Sequence, residues 1–449
     1  MTTCSRFIGV CAIRLSSVLA AVFRSGFIRL HTWLIYCLVL LVSTFGAVAQ
    51  PVLAPPPPEF LQQNTVLRPV EAETNQTSNA EPAPASSTPS AQPGLLDWGQ
   101  FHLRPHLLYR ISYGNGLQSS PGQKENTVIN EISPGMLLEM GSHWRLDYTP
   151  TLQFYSSSQF QNTVNHSVAL SGNGSYEDWT FGMSQTYAHT SEPQTQTASQ
   201  TDQDTYGTSL NAAYALNSEI SLTFEVSQNF LFVGGTVQTN QLSDTLSWAT
   251  TEGLNYQLLP GLSVGPTIGF GYDHEQVGPD MTHEQFQGRI NWQLGHKLSF
   301  NFSGGFEYRQ FLDSNESDEL NPIFNLSLVY KIFEVTTFTL SASETISSSY
   351  YQGQTTQTTG FTAGVHQRLL GKLYLDVSGG YSTSSYNATT SAVSANRNDD
   401  HSNIGVRLSC QLLKRGSASV FYDWSDNSSN ENGFSYTSNQ VGLELGYRF

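Results

Sequence analysis

The sequence predicts an all-β fold: an antiparallel, up-and-down transmembrane β-barrel of about eighteen strands, with sixteen as the alternative count. Three observations predict it. Apolar and polar residues alternate strictly along segments of ten or more residues, the period that places one set of side chains on each face of a pleated strand. The connections between these segments alternate between short and long, as between periplasmic turns and external loops. Aromatic residues gather beside both kinds of connection, where amphipathic rings settle at two membrane interfaces.

The chain opens on an export signal. Arg6, Arg14, Arg24 and Arg29 precede an apolar run from Trp33 to Phe45, followed by Ala47-Val48-Ala49 before Gln50. This is a signal-peptide pattern over 1–49 with cleavage after Ala49. A membrane anchor is the alternative, but the apolar run is shorter than the roughly twenty residues that span a bilayer. Removing the leader takes four arginines and no acid from a chain of net charge −16, leaving about −20, which argues against a nucleic-acid surface. Three of the four cysteines leave with it, and Cys410 alone remains. Residues 50–93 are rich in Pro, Ser, Thr and Gln, with Pro55-Pro56-Pro57-Pro58, and read as a flexible periplasmic segment.

Barrel patterning covers 94–449. The first strand alternates Phe101, Leu103, Pro105, Leu107, Tyr109 and Ile111 with His102, Arg104, His106 and Arg110. So regular a charged face must look at water, because Arg or Lys near the bilayer midplane costs roughly 2–4 kcal/mol. Similar runs fall near 127–140, 144–155, 163–174, 179–188, 204–216, 220–231, 243–258, 262–272, 285–294, 297–309, 321–331, 336–346, 358–369, 372–382, 401–412, 417–425 and 438–449. The second and eighth are the weakest, and Glu252 falls on the apolar face of the eighth. Short turns are expected at 141–143, 217–219, 259–261, 295–296 and 370–371, and external loops near 114–126, 189–203, 273–284, 310–320, 383–400 and 426–437. A soluble sandwich or propeller also alternates, but its strands are typically about five or six residues long.

Val441, Leu443, Leu445, Tyr447 and Phe449 close the chain on one strand face. With the leader and the strand array, this ending resembles the porin-like β-barrel proteins of Gram-negative outer membranes. The resemblance implies residence in the cell outer membrane, contact with lipid and lipopolysaccharide, and recognition of Tyr447 and Phe449 by the barrel-assembly machinery. Glu444 stands where that class carries glycine.

The inward charges are the candidate selectivity residues: Arg104, Arg110, Arg145, Asp147, Glu225, Arg289, Glu307, Arg309, Arg368, Asp376, Arg407 and Asp423. Barrels of sixteen to eighteen strands usually enclose an aqueous channel, so the expected function is passive diffusion of small hydrophilic solutes and ions. Acids outnumber bases in the expected external loops, including Asp273, Glu275, Asp280, Asp399 and Asp400, which favours a weak cation preference, unless these charges only keep the loops soluble or bind divalent ions shared with lipopolysaccharide. No loop is clearly long enough to read as a large plug, though the 50–93 segment could enter from below; a lumen lined by structural ion pairs and blocked by a folded-in segment is the alternative to an open pore. A surface adhesin or a polysaccharide-export barrel without an open pore is the alternative. No catalytic group, metal site or cofactor is expected, because no nucleophile, base and orienter share a defensible geometry. Homo-oligomerisation stays open, with no stripe in the sequence that singles out a subunit contact.

Overall fold

The computed structural model describes residues 97–235, 242–312, 314–391, 393, 395–413 and 415–448. The expected leader, the 50–93 segment and Phe449 lie outside the described residues. Eighteen long strands follow one another: β1 Phe101–Ser120, β2 Gln123–Met140, β3 Trp144–Tyr155, β4 Thr163–Tyr176, β5 Trp179–Gln194, β6 Ser199–Ala215, β7 Ile220–Gly235, β8 Thr245–Leu259 and β9 Leu262–Glu275. The second half comprises β10 Met281–Leu294, β11 Leu298–Phe311, β12 Glu319–Phe333, β13 Thr336–Ser348, β14 Gln354–Leu370, β15 Leu373–Ala388, β16 Asn398–Gln411, β17 Gly416–Ser429 and β18 Tyr436–Arg448. A two-residue strand, Asp97–Trp98, folds back on the start of β1.

Every strand pairs antiparallel with its sequence neighbour, and β18 returns to β1 from Arg448↔His106 to Asn439↔Asn115. The sheet is therefore a closed barrel without free edges. No helix of the described residues is long and apolar enough to cross a membrane; the crossing segments are strands.

Alternation assigns the two faces. Leu107, Phe286, Phe306, Ile404 and Leu443 are exposed on the outside, whereas Arg110, Glu307 and Arg309 are buried on the inside. Directly paired residues share a face, so the registers carry this division around the ring. Both weak strands form. In β2, Asn130 faces outward and accepts a hydrogen bond from the Tyr109 hydroxyl at 3.1 Å. In β8, Glu252 pairs with Phe224 and Ile268 on the outer face.

The expected short connections are tight turns. At Gly261 the backbone takes φ 82°, and an added Cβ would lie 2.4 Å from the Gln293 carbonyl oxygen, so this turn needs glycine. The opposite ends differ from expectation. The 114–126 and 189–203 segments, read as loops, are mostly continuations of the β1–β2 and β5–β6 ladders. Above the apolar band a strand needs no greasy face, so Thr, Gln and Ser run on in register without the alternation that marks the lower part.

Candidate functional site: the lumen and its bridged mouth

The inward charges form separate networks along the wall. At the closing seam, Arg110 of β1 lies 3.7 Å from Glu131 and 3.6 Å from Asp423, with its guanidinium 4.1 Å from the Phe421 ring centre. Arg407 approaches the same ring at 5.5 Å and binds Glu444 at 2.8 Å. Gly442 makes this arrangement possible, since a Cβ there would meet Phe421 at 2.5 Å. Glu444, which departs from the resembled family's ending, is thus a partner of a lumen arginine.

Higher on the wall, Arg309 is 1% exposed and fully engaged. It donates to Glu307 at 2.9 Å, to Asp273 at 3.2 Å and to the Ile346 carbonyl at 3.3 Å. His283 adds a contact to Asp273 at 3.4 Å, and Gln285 donates to Glu307 at 2.8 Å. Asp273, expected among the external loop acids, is in fact an inward partner of Arg309.

The remaining candidates lie lower or further around the ring. Arg104 pairs with Glu139 at 2.9 Å in an exposed bridge, and Arg145 stands opposite Glu139 in the β2–β3 register. Asp147 accepts from Thr149 at 3.0 Å. Arg289 and Glu225 interact through their charges, the arginine side chain passing near Gly253 of β8. Asp376 binds His366 at 2.5 Å, and Arg368 faces inward opposite Tyr374. Tyr447 faces outward on β18. The structure therefore joins Arg110 with Asp423 and Arg407, Glu307 with Arg309, and Arg289 with Glu225. It leaves Arg104, Arg145, Asp147, Arg368 and Asp376 outside those groups.

Sequence reasoning missed what spans the mouth. The β5–β6 hairpin tip, 195–198, contacts β14, which lies nine strands away in a ring of eighteen and thus on the opposite wall. Gln196 donates to Thr356 at 3.3 Å and accepts from the Tyr350 amide at 3.1 Å. Arg397, ahead of β16, donates to the carbonyls of Gln196 and Thr195 at 2.7 and 3.3 Å. Its guanidinium also binds Asp399 and sits between the rings of Phe434 and Tyr386, 3.7 and 4.5 Å from their centres. Asp399, expected among the external loop acids, forms a buried clasp with Arg397.

Neighbouring loops join this layer. Ser243 donates its amide to Tyr350, Gln352 to the Leu242 carbonyl, Ser314 to the Thr389 carbonyl and Gln118 to the Gly433 carbonyl. Thr355, Thr356 and Thr389 are each at most 1% exposed. No loop reads as clearly long enough for a large plug, yet a hairpin and its clasp reach across the mouth.

Charges in this mouth layer are tuned locally. Burial opposes ionisation of Arg397, but Asp399 and the Tyr386 ring outweigh it and hold the guanidinium firmly charged. Burial alone would raise Asp280, yet hydrogen bonds from His274 and Tyr272 hold it below the usual carboxylate range. Glu275, three residues beyond the Tyr272 ring, is pushed up to about 8 by burial. Neither of its carboxyl oxygens has a hydrogen-bond partner; Ser348 and the Gly353 amide lie near enough only to temper the shift.

A closed ring of eighteen antiparallel strands, apolar outside and polar inside, defines a porin-like membrane β-barrel. Residues 279–449, which hold β10–β18, match the family model described as Putative beta-barrel porin 2. No curated protein matches the chain. Among solved structures, outer membrane protein opdK of Pseudomonas aeruginosa aligns at 10% identity over 77% of this chain and 98% of that one, with TM-score 0.41. OccK2 (OpdF) of the same organism aligns at 9% identity over 77% and 98%, with TM-score 0.42. Acinetobacter baumannii OccAB3 aligns at 9% identity over 77% and 99%, with TM-score 0.39. The fold assignment rests on the closed ladder itself rather than on these distant likenesses.

Proposed function

We propose that this protein is an outer-membrane channel for passive diffusion of small hydrophilic solutes and ions, entered past a mouth that its own β5–β6 hairpin bridges. The observation that carries this reading is the inner face. Along β11, β13 and β15 it presents Ser299, Asn301, Ser303, Thr339, Ser341, Ser378 and Ser382, small side chains that cannot fill a ring this wide. Passage needs no chemical step, and selectivity follows from width and charge. The external acids left after Asp273 and Asp399 are paired inward and Glu275 is held mostly protonated by burial favour a weak preference for cations. Export through the 1–49 leader, recognition of the final strand by the assembly machinery and contact with lipopolysaccharide belong to the same reading.

The interlocked loop layer favours a second reading, a closed barrel whose outer surface is an adhesin or part of a polysaccharide-export assembly. Single-channel recording of the full mature chain in planar bilayers separates the two. Discrete, stable current steps support the channel; a membrane-inserted barrel without current supports the closed alternative. Reversal potentials in a salt gradient test the ion preference, and an anion-selective current would refute it.

A further inference from the structure

Asn130 of β2 and His166 of β4 are isolated polar residues on an otherwise apolar outer face, but over β5–β8 polar residues form a continuous patch. Between the aromatic rows, β9 presents Pro266, Ile268 and Phe270, β12 presents Leu326 and Leu328, and β18 presents Leu443 and Leu445. On β5, β6 and β7 the corresponding row reads Gln185, Thr208 and Gln228, directly paired strand to strand. Thr250 and Glu252 of β8 continue the patch downward.

Depth makes the patch unusual. Gln185, Thr208, Gln228 and Thr250 each lie two residues inside the upper aromatic row of Tyr187, Tyr206, Phe230 and Trp248. Glu252 is four residues from Trp248 above and four from Tyr256 below, midway across the apolar band. Lipid tails offer no hydrogen-bond partner there, and an ionisable side chain at that depth normally faces another protein surface or a cavity. Thr208 donates to Gln185 at 2.8 Å, and Gln185 to the Gly207 carbonyl at 3.0 Å. Gln228 stays half-buried on the same face, and Glu252, also half-buried, keeps a contact within its own chain.

We propose that the lipid-facing side of β5–β8 is the contact surface for a second copy of this chain. Carboxamides and hydroxyls both donate and accept, so a row of Gln, Thr and Gln complements the same row on a partner related by a twofold axis. Such an interface takes the polar groups out of hydrocarbon and satisfies them against each other, as polar side chains do between membrane segments. The inference rests on the outer face meeting lipid and is independent of whether the lumen conducts.

Site-directed cross-linking in membranes of cells producing the full chain tests it. In a Cys410→Ser background, Gln228→Cys is expected to give a disulfide-linked species of twice the chain mass, and Ile290→Cys on the apolar face is not. The combined variant Gln185→Leu, Thr208→Val, Gln228→Leu and Glu252→Leu is expected to shift the detergent-solubilised protein toward monomer by about tenfold in association constant, or about 1.4 kcal/mol. Retained heat-modifiable gel mobility shows that this variant still folds. Equal cross-linking at 228 and 290, a linked species of any other mass, or unchanged association of the apolar variant each overturns the proposal. Failure of the chain to fractionate with membranes would instead defeat the membrane reading beneath it.

Discussion

The two ends of the barrel obey the same alternation and come out differently. At the end with short turns, strands stop at turns such as Gly261, and the exposed Arg104–Glu139 bridge lines open water. At the opposite end, the ladders run on past the aromatic row, and polar residues bury one another across the mouth. Inside an apolar band a strand is held by one greasy face. Beyond it, pairing survives only where side chains find partners, and here they find them on the far wall.

The largest effect is expected where that far-wall contact depends on one side chain. Arg397→Ala removes the clasp and leaves Asp399 buried without its cation, a loss of about 3–5 kcal/mol for a buried pair. The hairpin should swing free, and mean open-channel current should rise in planar bilayers. The reverse change, a disulfide between Gln196→Cys and Thr356→Cys, should lower the current until it is reduced. If neither variant alters the current, the mouth layer does not control passage.

Arg309→Met is expected to cost as much in stability but breaks no contact across the mouth. Asp273 and Glu307 would be left facing each other in the wall, at a cost of about 3–5 kcal/mol. Loss of the heat-resistant folded band at a lower temperature than wild type would report it, and an unchanged transition would show the network to be dispensable.

A smaller, pH-dependent difference should come from Glu275. Its folded-state value of about 8 exceeds the ordinary 4.5, so the folded mouth binds the extra proton between those values. The stability it contributes is fully present below about 4.5 and is lost as pH rises through about 8. Hydrogen exchange in the 275–281 segment should therefore quicken, beyond the intrinsic pH effect, between pH 6 and 9. Glu275→Gln should flatten that excess, and its persistence in the variant would assign it elsewhere.

The smallest effect belongs to the open end. The Arg104–Glu139 pair is exposed on both sides, so Arg104→Gln should change stability by less than about 1 kcal/mol. Its expected signature is a small shift of reversal potential toward cations, since a positive charge leaves the lumen. A shift toward anions would contradict the inward placement of this arginine.

The comparison also explains what could be read in the chain. The eighteen spans were legible because lipid demands alternation, and Leu443, Leu445 and Tyr447 cannot slip by one residue without facing water. The second and eighth strands looked weak for a real reason: Asn130 and Glu252 do face outward. The Arg309–Glu307 pair was within reach of a sequence reading, because residues two apart on a strand share a face. The clasp was not, because Thr195 and Arg397 are brought together only by ring closure. The polar ladders over 114–120 and 189–203 carried no periodic signal, since nothing greasy defines their faces.

Pairing of β18 with β1 has one more consequence. A ring cannot be completed piecemeal: the first strand waits, with its backbone amides and carbonyls unsatisfied, until the very last residues of the chain arrive beside it. Arg110 meets Asp423 only at that moment, so this charge cluster records the final joining step, and the order of events is slow by geometry, because the ends most distant along the polypeptide must find each other.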